Sequence, residues 1–133
     1  MKGVETLLTD IRSIPGTQLR ISYKDGTALI TLPNERTQAV YITREDDRYV
    51  FSSRIMGATR ASQYNQAELA QIIWFRNRET DVVELALDNA GRLIGRIEVV
   101  AEALDRNELE YYLTALAQEC DRLEYILTGH DQM

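Results

Sequence analysis

Along the chain, apolar residues recur every three or four positions in some segments and every second position in others, and these two periods predict helices and strands respectively. The helical period is present at residues 4–14, 65–78 and 102–129, and strand-like segments fill most of 19–55 and 81–100. The predicted order is helix, three or four antiparallel strands, helix, two-stranded hairpin, helix. This is the order of an α+β domain in which helices flank an antiparallel sheet.

The first predicted helix is short and apolar on one side only. It ends at Pro15-Gly16, because proline disfavours the helical conformation in the residue before it. Its apolar positions are Val4, Leu7, Leu8, Ile11 and Ile14.

The clearest turn in the sequence is Asp25-Gly26, which separates residues 19–23 from residues 28–32. Asp-Gly supplies the positive backbone angles that a two-residue hairpin turn requires. With this turn, one face of the hairpin is apolar, and it consists of Leu19, Ile21, Tyr23, Ala28, Ile30 and Leu32. Leu29 is the one large apolar residue predicted on the opposite face.

Further strands are predicted at residues 37–43 and 48–55, joined by a polar turn, and the segment 56–64 is predicted to be a loop. A second hairpin turns at Asn89-Ala90-Gly91. Gly95 lies inside the last predicted strand, where a glycine indicates a bulge or a close backbone approach.

Both later helices begin with a capping signal. Asn65 with Glu68, and Asp105 with Glu108, have the three-residue spacing of a reciprocal capping box. Each cap is flanked by an apolar pair at the staple positions, namely Tyr64 with Leu69 and Leu104 with Leu109. Gly129 is a suitable residue for the end of the last helix.

The last helix contains the single cysteine of the chain, Cys120. It lies within one continuous apolar face made by Leu109, Leu113, Leu116, Cys120, Leu123 and Leu127. A reactive thiolate needs a nearby cation, a histidine or a helix N-terminus, whereas Cys120 has Glu119 and Asp121 as its neighbours. The sequence therefore predicts a buried core thiol that labels slowly in the native state.

Other candidate chemistry is sparse. His130 is the sole histidine and lies in the predicted tail, and Asp46-Asp47 is interpreted as a turn because the ligand spacing of a calcium loop is absent. Gly91 and Gly95 are followed neither by a phosphate-loop lysine nor by a dinucleotide fingerprint. We therefore assign no catalytic, cofactor-binding or metal-ligating residue and predict that the chain is not an enzyme, although a glycosidase-type carboxylate pair stays open.

Composition and charge narrow the function further. A chain of 133 residues with 44% apolar and 27% charged residues predicts a single domain over 1–129, with 130–133 as a flexible tail. The formal charge of −6 disfavours nucleic-acid partners, although a local basic patch around Arg54 and Arg60 stays open. Short apolar runs predict no membrane insertion, and a single cysteine fits a reducing compartment, so we expect a cytoplasmic protein.

The second predicted helix carries two aromatic residues away from its apolar stripe. Leu69, Ile72 and Ile73 share one face of this helix, while Trp74 and Phe75 point elsewhere. Two alternatives follow from this pattern. Either the aromatic side chains pack under the 57–64 loop, or they form a dimer or partner interface together with Ile72 and Arg78.

Residues 80–129 resemble the YbjN-like group and the wider class of type III secretion chaperones (the Tir-chaperone class). The matching segments are Leu85–Asp88, Gly91-Arg92, Leu104-Asp105 with Glu108-Leu109, and Ala117–Leu123. The resemblance implies the layout α-β-β-β(-β)-α-β-β-α, a homodimer and no cofactor. It also implies a non-enzymatic protein that binds an extended or helical segment of a client protein.

Two functions therefore compete. The first is a chaperone-like protein-binding or assembly factor, and the second is a regulatory or sensory domain that binds a small ligand. An open sheet surface favours the first, whereas an enclosed apolar pocket with converging polar groups favours the second.

Overall fold

The computed structural model describes residues 7–8, 18–79 and 82–128 of the chain. Leu7 and Leu8 are helical, and the rest of the first predicted helix lies outside the described residues. The same is true of the proposed helix end at Gly129 and of the predicted tail with His130.

Within these residues, six antiparallel strands form one sheet in the order β1-β2-β3-β4-β6-β5. The strands are β1 (Arg20–Lys24), β2 (Thr27–Thr31), β3 (Thr37–Glu45), β4 (Arg48–Met56), β5 (Glu84–Leu87) and β6 (Leu93–Val100). The described helices after β1 are α1 (Ala58–Ser62), α2 (Gln66–Glu79) and α3 (Arg106–Thr128), with one 3₁₀ turn at Ala101–Ala103. The predicted α+β class and element order are confirmed.

The first hairpin has the predicted register. Tyr23 pairs with Ala28 and Ile21 with Ile30. Asp25 and Gly26 have φ angles of 51° and 81°, which are the positive values that this turn type needs. Leu29 lies on the opposite face and is 43% exposed, as the alternation predicts.

The prediction of a loop over 56–64 is wrong in part, because residues 58–62 form the short helix α1. The Ala61 N–H donates to the Gly57 carbonyl at 3.0 Å, and the Ala61 side chain is buried. A single turn with one small buried residue has no apolar period, so the sequence pattern carries no helical signal there.

Both later helices begin at the predicted caps. Asn65 Oδ1 accepts hydrogen bonds from the N–H groups of Ala67 and Glu68 at 2.9 and 3.1 Å. Asp105 Oδ1 accepts one from the Glu108 N–H at 2.8 Å. Such bonds satisfy amides that have no partner inside the helix.

The core lies between α3 and one face of the sheet. The apolar stripe of α3 is buried from Leu109 to Leu123, and Phe51 in β4 is fully buried opposite it. Gly95 allows this close packing, since a Cβ atom built there lies only 2.6 Å from Cys120 Sγ. The neighbours that crowd Gly95 are side chains and not another backbone segment, and the register shift between β4 and β6 lies elsewhere, between Arg54 and Met56.

An ion pair joins α3 to the connection between β2 and β3. Arg36 donates through Nε and Nη2 to the two carboxylate oxygens of Asp121, at 2.9 and 2.7 Å. The Asp121 side chain is 10% exposed and that of Arg36 is 29% exposed. These hydrogen bonds raise the pKa of Arg36 above its ordinary value, so the guanidinium keeps its charge.

Candidate functional site

Cys120 is a core residue, as the sequence predicts. Its side chain is fully buried, and its S–H donates a weak hydrogen bond to the Ser53 carbonyl at 3.8 Å. Burial raises the pKa of this thiol to about 12. A thiol with this pKa holds its proton at neutral pH, so the thiolate needed for nucleophilic chemistry is not formed.

We expect Cys120 to react slowly with a thiol reagent from pH 7 to pH 9 in the native state and quickly in urea. An unfolded thiol loses its proton near pH 8.5, whereas the buried one keeps it. Absorbance-monitored labelling with Ellman's reagent measures both rates, and native labelling as fast as that of a free thiol would contradict the buried assignment.

Asp88 stabilises the backbone of the β5–β6 turn. Asp88 accepts hydrogen bonds from the N–H groups of Ala90 and Arg92, each at 2.9 Å, and these bonds fix the β5–β6 turn. The backbone hydrogen bond from Arg92 is the main reason that the pKa of Asp88 is lowered. In residues 7–8, 18–79 and 82–128, no group of three or more histidine, cysteine or carboxylate residues is placed to hold a metal ion.

Helix α2 presents an exposed aromatic surface, which we define by Ile72, Trp74, Phe75 and Arg78. Trp74 is 61% exposed and Phe75 is 57% exposed. The Arg78 guanidinium carbon lies 4.8 Å from the centroid of the Trp74 ring, and Ile72 is half-buried. The alternative prediction, that these aromatic side chains pack under the 57–64 segment, is therefore wrong, because both are exposed.

A shallow cavity of about 480 Å³ adjoins the aromatic surface and is lined by Glu68, Gln71, Ile72, Phe75 and Arg76. Arg76 Nη2 lies 3.7 Å from the Glu119 carboxylate. Within the described part of the chain, Arg76 Nε and Nη2 are buried and make no hydrogen bond. An incoming apolar side chain with an adjacent oxygen acceptor would match this cavity.

Asn77 covers the outer edge of β5. Its Nδ2 donates to the Leu85 carbonyl at 3.1 Å, and its Oδ1 accepts from the Leu85 N–H at 2.7 Å. These two backbone groups would otherwise be open to another strand. Addition of a client strand at this edge therefore requires the Asn77 amide to leave.

We expect Asn77→Ala to destabilise the protein by about 1–3 kcal/mol, because both backbone groups of Leu85 lose a partner in a partly buried place. The variant also uncovers the edge of β5, so it should self-associate more than the wild type. Urea unfolding and light scattering measure the two effects. Asn107→Ala is a suitable control because Asn107 is exposed on the first turn of α3, and equal behaviour of the two variants would contradict the prediction.

A third surface is the outer sheet face, which we define by Leu29, Ala39, Tyr41, Arg54 and Ile94. Leu29 pairs with Ala39 across β2 and β3, and Arg54 pairs with Ile94 across β4 and β6. Tyr41 is 49% exposed. These side chains project from the side of the sheet opposite α3.

Two cavities open on the outer sheet face. The larger, of about 560 Å³, is lined by Leu29, Ala39, Tyr41 and Arg54, and it reaches Arg60 on α1 and Glu124 on α3. The smaller, of about 290 Å³, is lined by Tyr41, Ser52, Arg54, Arg92 and Ile94, among others. Burial is the main cause of the raised pKa of Glu124.

The outer sheet face is not predicted as a site by the sequence pattern. The pattern indicates only Leu29, as an apolar residue on the polar side of its hairpin, and a local basic patch at Arg54 and Arg60. The structure brings all three to one cavity. The missing information is the position of β6 between β4 and β5, which no local pattern encodes.

The fold is shared with solved secretion chaperones. A chain of the ExsC–ExsE complex matches with a TM-score of 0.60 and 16% identity over 93% of this chain and 92% of that chain. A chain of the HopA1–SchA chaperone–effector complex matches at 0.58 and 16%, covering 90% and 91%. The Yersinia pestis type III secretion chaperone SycH, solved with a stable fragment of YscM2, matches at 0.53 and 17%, covering 89% and 97%.

The chain has the fold of a type III secretion chaperone. No protein-family model and no curated protein matches its sequence. The predicted resemblance to type III secretion chaperones is thus confirmed for the fold. The resemblance to the YbjN-like group stays a prediction. None of the helices in the described part of the chain combines the length and the apolar character that a membrane span requires.

Proposed function

We propose that this protein is a non-enzymatic, chaperone-like binding or assembly factor that holds a segment of a partner protein. The observation that carries the proposal is the combination of a secretion-chaperone fold with two exposed surfaces, the outer sheet face and the aromatic surface. The similar structures are complexes of chaperones with protein partners, as the HopA1–SchA chaperone–effector complex is. We propose a cytoplasmic location and a single domain on the same grounds.

The alternative, a sensory domain for a small ligand, has less support. Its expected signature is an enclosed apolar pocket. The cavity of about 560 Å³ instead opens on the sheet surface and is lined by polar groups such as Thr37, Gln38 and Arg60. A surface of this kind fits a polypeptide better than a small molecule that must be desolvated on most sides.

The client is best identified by affinity capture of the tagged wild-type protein from its native host, followed by mass spectrometry. We expect a polypeptide that co-purifies at fixed stoichiometry when co-expressed with this protein. Recovery of no polypeptide partner, together with reproducible turnover of a small molecule, would overturn the proposal. A tagged unrelated acidic protein is the control for non-specific capture.

We further propose a homodimer that uses the aromatic surface of α2. Exposed tryptophan, phenylalanine and arginine side chains are enriched at protein interfaces, and their burial contributes much of the binding energy. The cavity beside Phe75 offers a place for a side chain of the second copy.

We expect the double variant Trp74→Ala/Phe75→Ala to dissociate at micromolar concentration, with dimer affinity lowered roughly a hundredfold or more. Sedimentation velocity over a concentration series measures this change. Tyr111→Ala is the matched control, since Tyr111 is 57% exposed but lies on α3. A monomeric wild type, or unchanged sedimentation of the double variant, would contradict the dimer.

A further inference from the structure

We propose that the outer sheet face binds an acidic segment of the client, with a client carboxylate on Arg54 and a neighbouring apolar side chain against Tyr41 and Leu29. This inference rests on the proposed function and names the chemistry of the segment that the protein holds. It is carried by the geometry of the two cavities and by the charges that line them.

Tyr41 and Arg54 line both cavities of the outer sheet face. The two side chains therefore stand between the cavities, with Leu29 and Ala39 on one side and Ile94 on the other. A segment that crosses the sheet meets an apolar position, then the tyrosine and the guanidinium, then a second apolar position. In an extended client every second side chain faces the sheet. An apolar residue, an acidic residue and a second apolar residue at positions i, i+2 and i+4 would therefore match this order.

The charge of the two cavities is opposite to that of the whole chain. Arg54, Arg60 and Arg92 line them, against the carboxylates of Asp88 and Glu124. Arg92 holds Asp88 with an Nε–Oδ2 distance of 2.7 Å. The chain as a whole carries a formal charge of −6. Positive lining on an acidic protein concentrates attraction for an anionic segment at this place.

Arg54 differs from three other arginines of the sheet, each of which has a carboxylate partner. Arg48 and Arg96 pair with Glu98 at 3.2 and 2.6 Å, and Arg20 pairs with Glu35 at 2.9 Å. Among the described residues, Arg54 has no carboxylate within ion-pair distance. Its charge only partly opposes the rise that burial causes in the pKa of Glu124. Its guanidinium is therefore available for a two-pronged bond to a client carboxylate.

An acidic polypeptide fits this face better than a nucleic acid. Phosphate backbones are bound by many lysine and arginine contacts along a track, whereas here three arginines are accompanied by two carboxylates. Leu29, Ala39 and Ile94 add aliphatic area. Aliphatic contact suits a peptide side chain, while stacking on bases would require several aromatic side chains.

The test is selection of peptides from a random 12-residue phage library on the immobilised wild-type protein. We expect enrichment of peptides that carry aspartate or glutamate two positions away from a large apolar residue. Fluorescence anisotropy with a labelled selected peptide should show affinity lowered about tenfold or more by Arg54→Glu and by Tyr41→Ala. Arg54→Lys should keep part of the affinity, because lysine retains the positive charge but cannot donate two parallel hydrogen bonds to one carboxylate.

Arg122→Glu is the matched control, because Arg122 is an exposed arginine on α3 that lines neither cavity. We expect it to change peptide affinity less than about twofold, apart from the shared effect of net charge. Basic or purely apolar selected peptides, no enrichment at all, or equal effects of Arg54→Glu and Arg122→Glu would overturn the inference. If poly(U) displaces the peptide and Arg54→Glu no longer binds poly(U), the outer sheet face is a nucleic-acid site instead of a site for an acidic peptide.

The outcomes also separate this inference from the proposed function. If a client captured from the host binds Arg54→Glu as well as the wild type, the protein is a client-binding factor that uses a different surface. If no client is captured but acidic peptides depend on Arg54, the recognition chemistry is upheld and the chaperone role is not.

Discussion

Replacing Gly95 with alanine is expected to destabilise the protein by about 1–3 kcal/mol. A Cβ atom at this position lies 2.6 Å from Cys120 Sγ, 3.1 Å from Val83 Cγ1 and 3.2 Å from Leu116 Cδ1. All three neighbours are buried side chains. To accommodate the new Cβ atom, either α3 has to move away from β6 or these side chains have to adopt other rotamers. Urea unfolding of the wild type and the variant measures the loss.

A double variant tests whether the Cys120 side chain causes the steric clash with the new Cβ atom. Cys120→Ala removes the nearest atom, so the double variant Gly95→Ala/Cys120→Ala should lose less stability than the sum of the two single variants. Gly57→Ala is the matched control, because a Cβ there meets nothing within 4 Å and its φ angle of −69° suits any residue. If Gly95→Ala is as mild as Gly57→Ala, the packing of α3 on β6 is not as described.

The second large effect is expected for Arg36→Ala, which should cost about 2–3 kcal/mol. The substitution leaves the nearly buried carboxylate of Asp121 without its two charged hydrogen bonds. It also removes the contact of the guanidinium with the Tyr125 ring, whose centroid lies 5.5 Å away. The expected cost is below that of a fully buried pair because the Arg36 side chain is 29% exposed.

Arg20→Ala is the control for this variant. Arg20 and Glu35 form an ion pair of similar length, 2.9 Å, but their side chains are 62% and 77% exposed. Such pairs contribute about 0–1 kcal/mol, since water screens them. Adding Asp121→Ala to Arg36→Ala should recover part of the stability, because the unpaired charge is gone. Equal costs for Arg20→Ala and Arg36→Ala would show that Asp121 is satisfied by other groups.

Local signals explain which parts of the fold are predictable from the sequence. Asp25-Gly26 fixes its own hairpin through the backbone angles of two residues, and Asn65 and Asp105 mark their helices through bonds that span three residues. The apolar stripe of α3 has a period that only a helix satisfies. Each of these features depends on neighbours in the chain and on nothing distant.

Non-local geometry explains which features the sequence pattern does not predict. The outer sheet face depends on β6 lying beside β4, which brings Ile94 next to Arg54 although about forty positions separate them. Helix α1 buries only one small residue, Ala61, so the sequence has no periodic apolar pattern that would predict this helix. The off-stripe positions of Trp74 and Phe75 follow from helical spacing, but only the structure excludes cover by the 57–64 segment.

The way α2 is attached has a consequence for the partners it can meet. Leu69 is the one buried residue of this described helix, and its other links to the body include the Asn77 amide and the long Arg76–Glu119 pair. Ile73 adds a half-buried contact with the core. We therefore expect a small rotation of α2 to lose less apolar contact than the same rotation of α3, whose apolar stripe is buried from Leu109 to Leu123. We therefore expect the helix that carries the aromatic surface to change its orientation at a small cost in free energy, so that the same surface can bind protein partners of different shape.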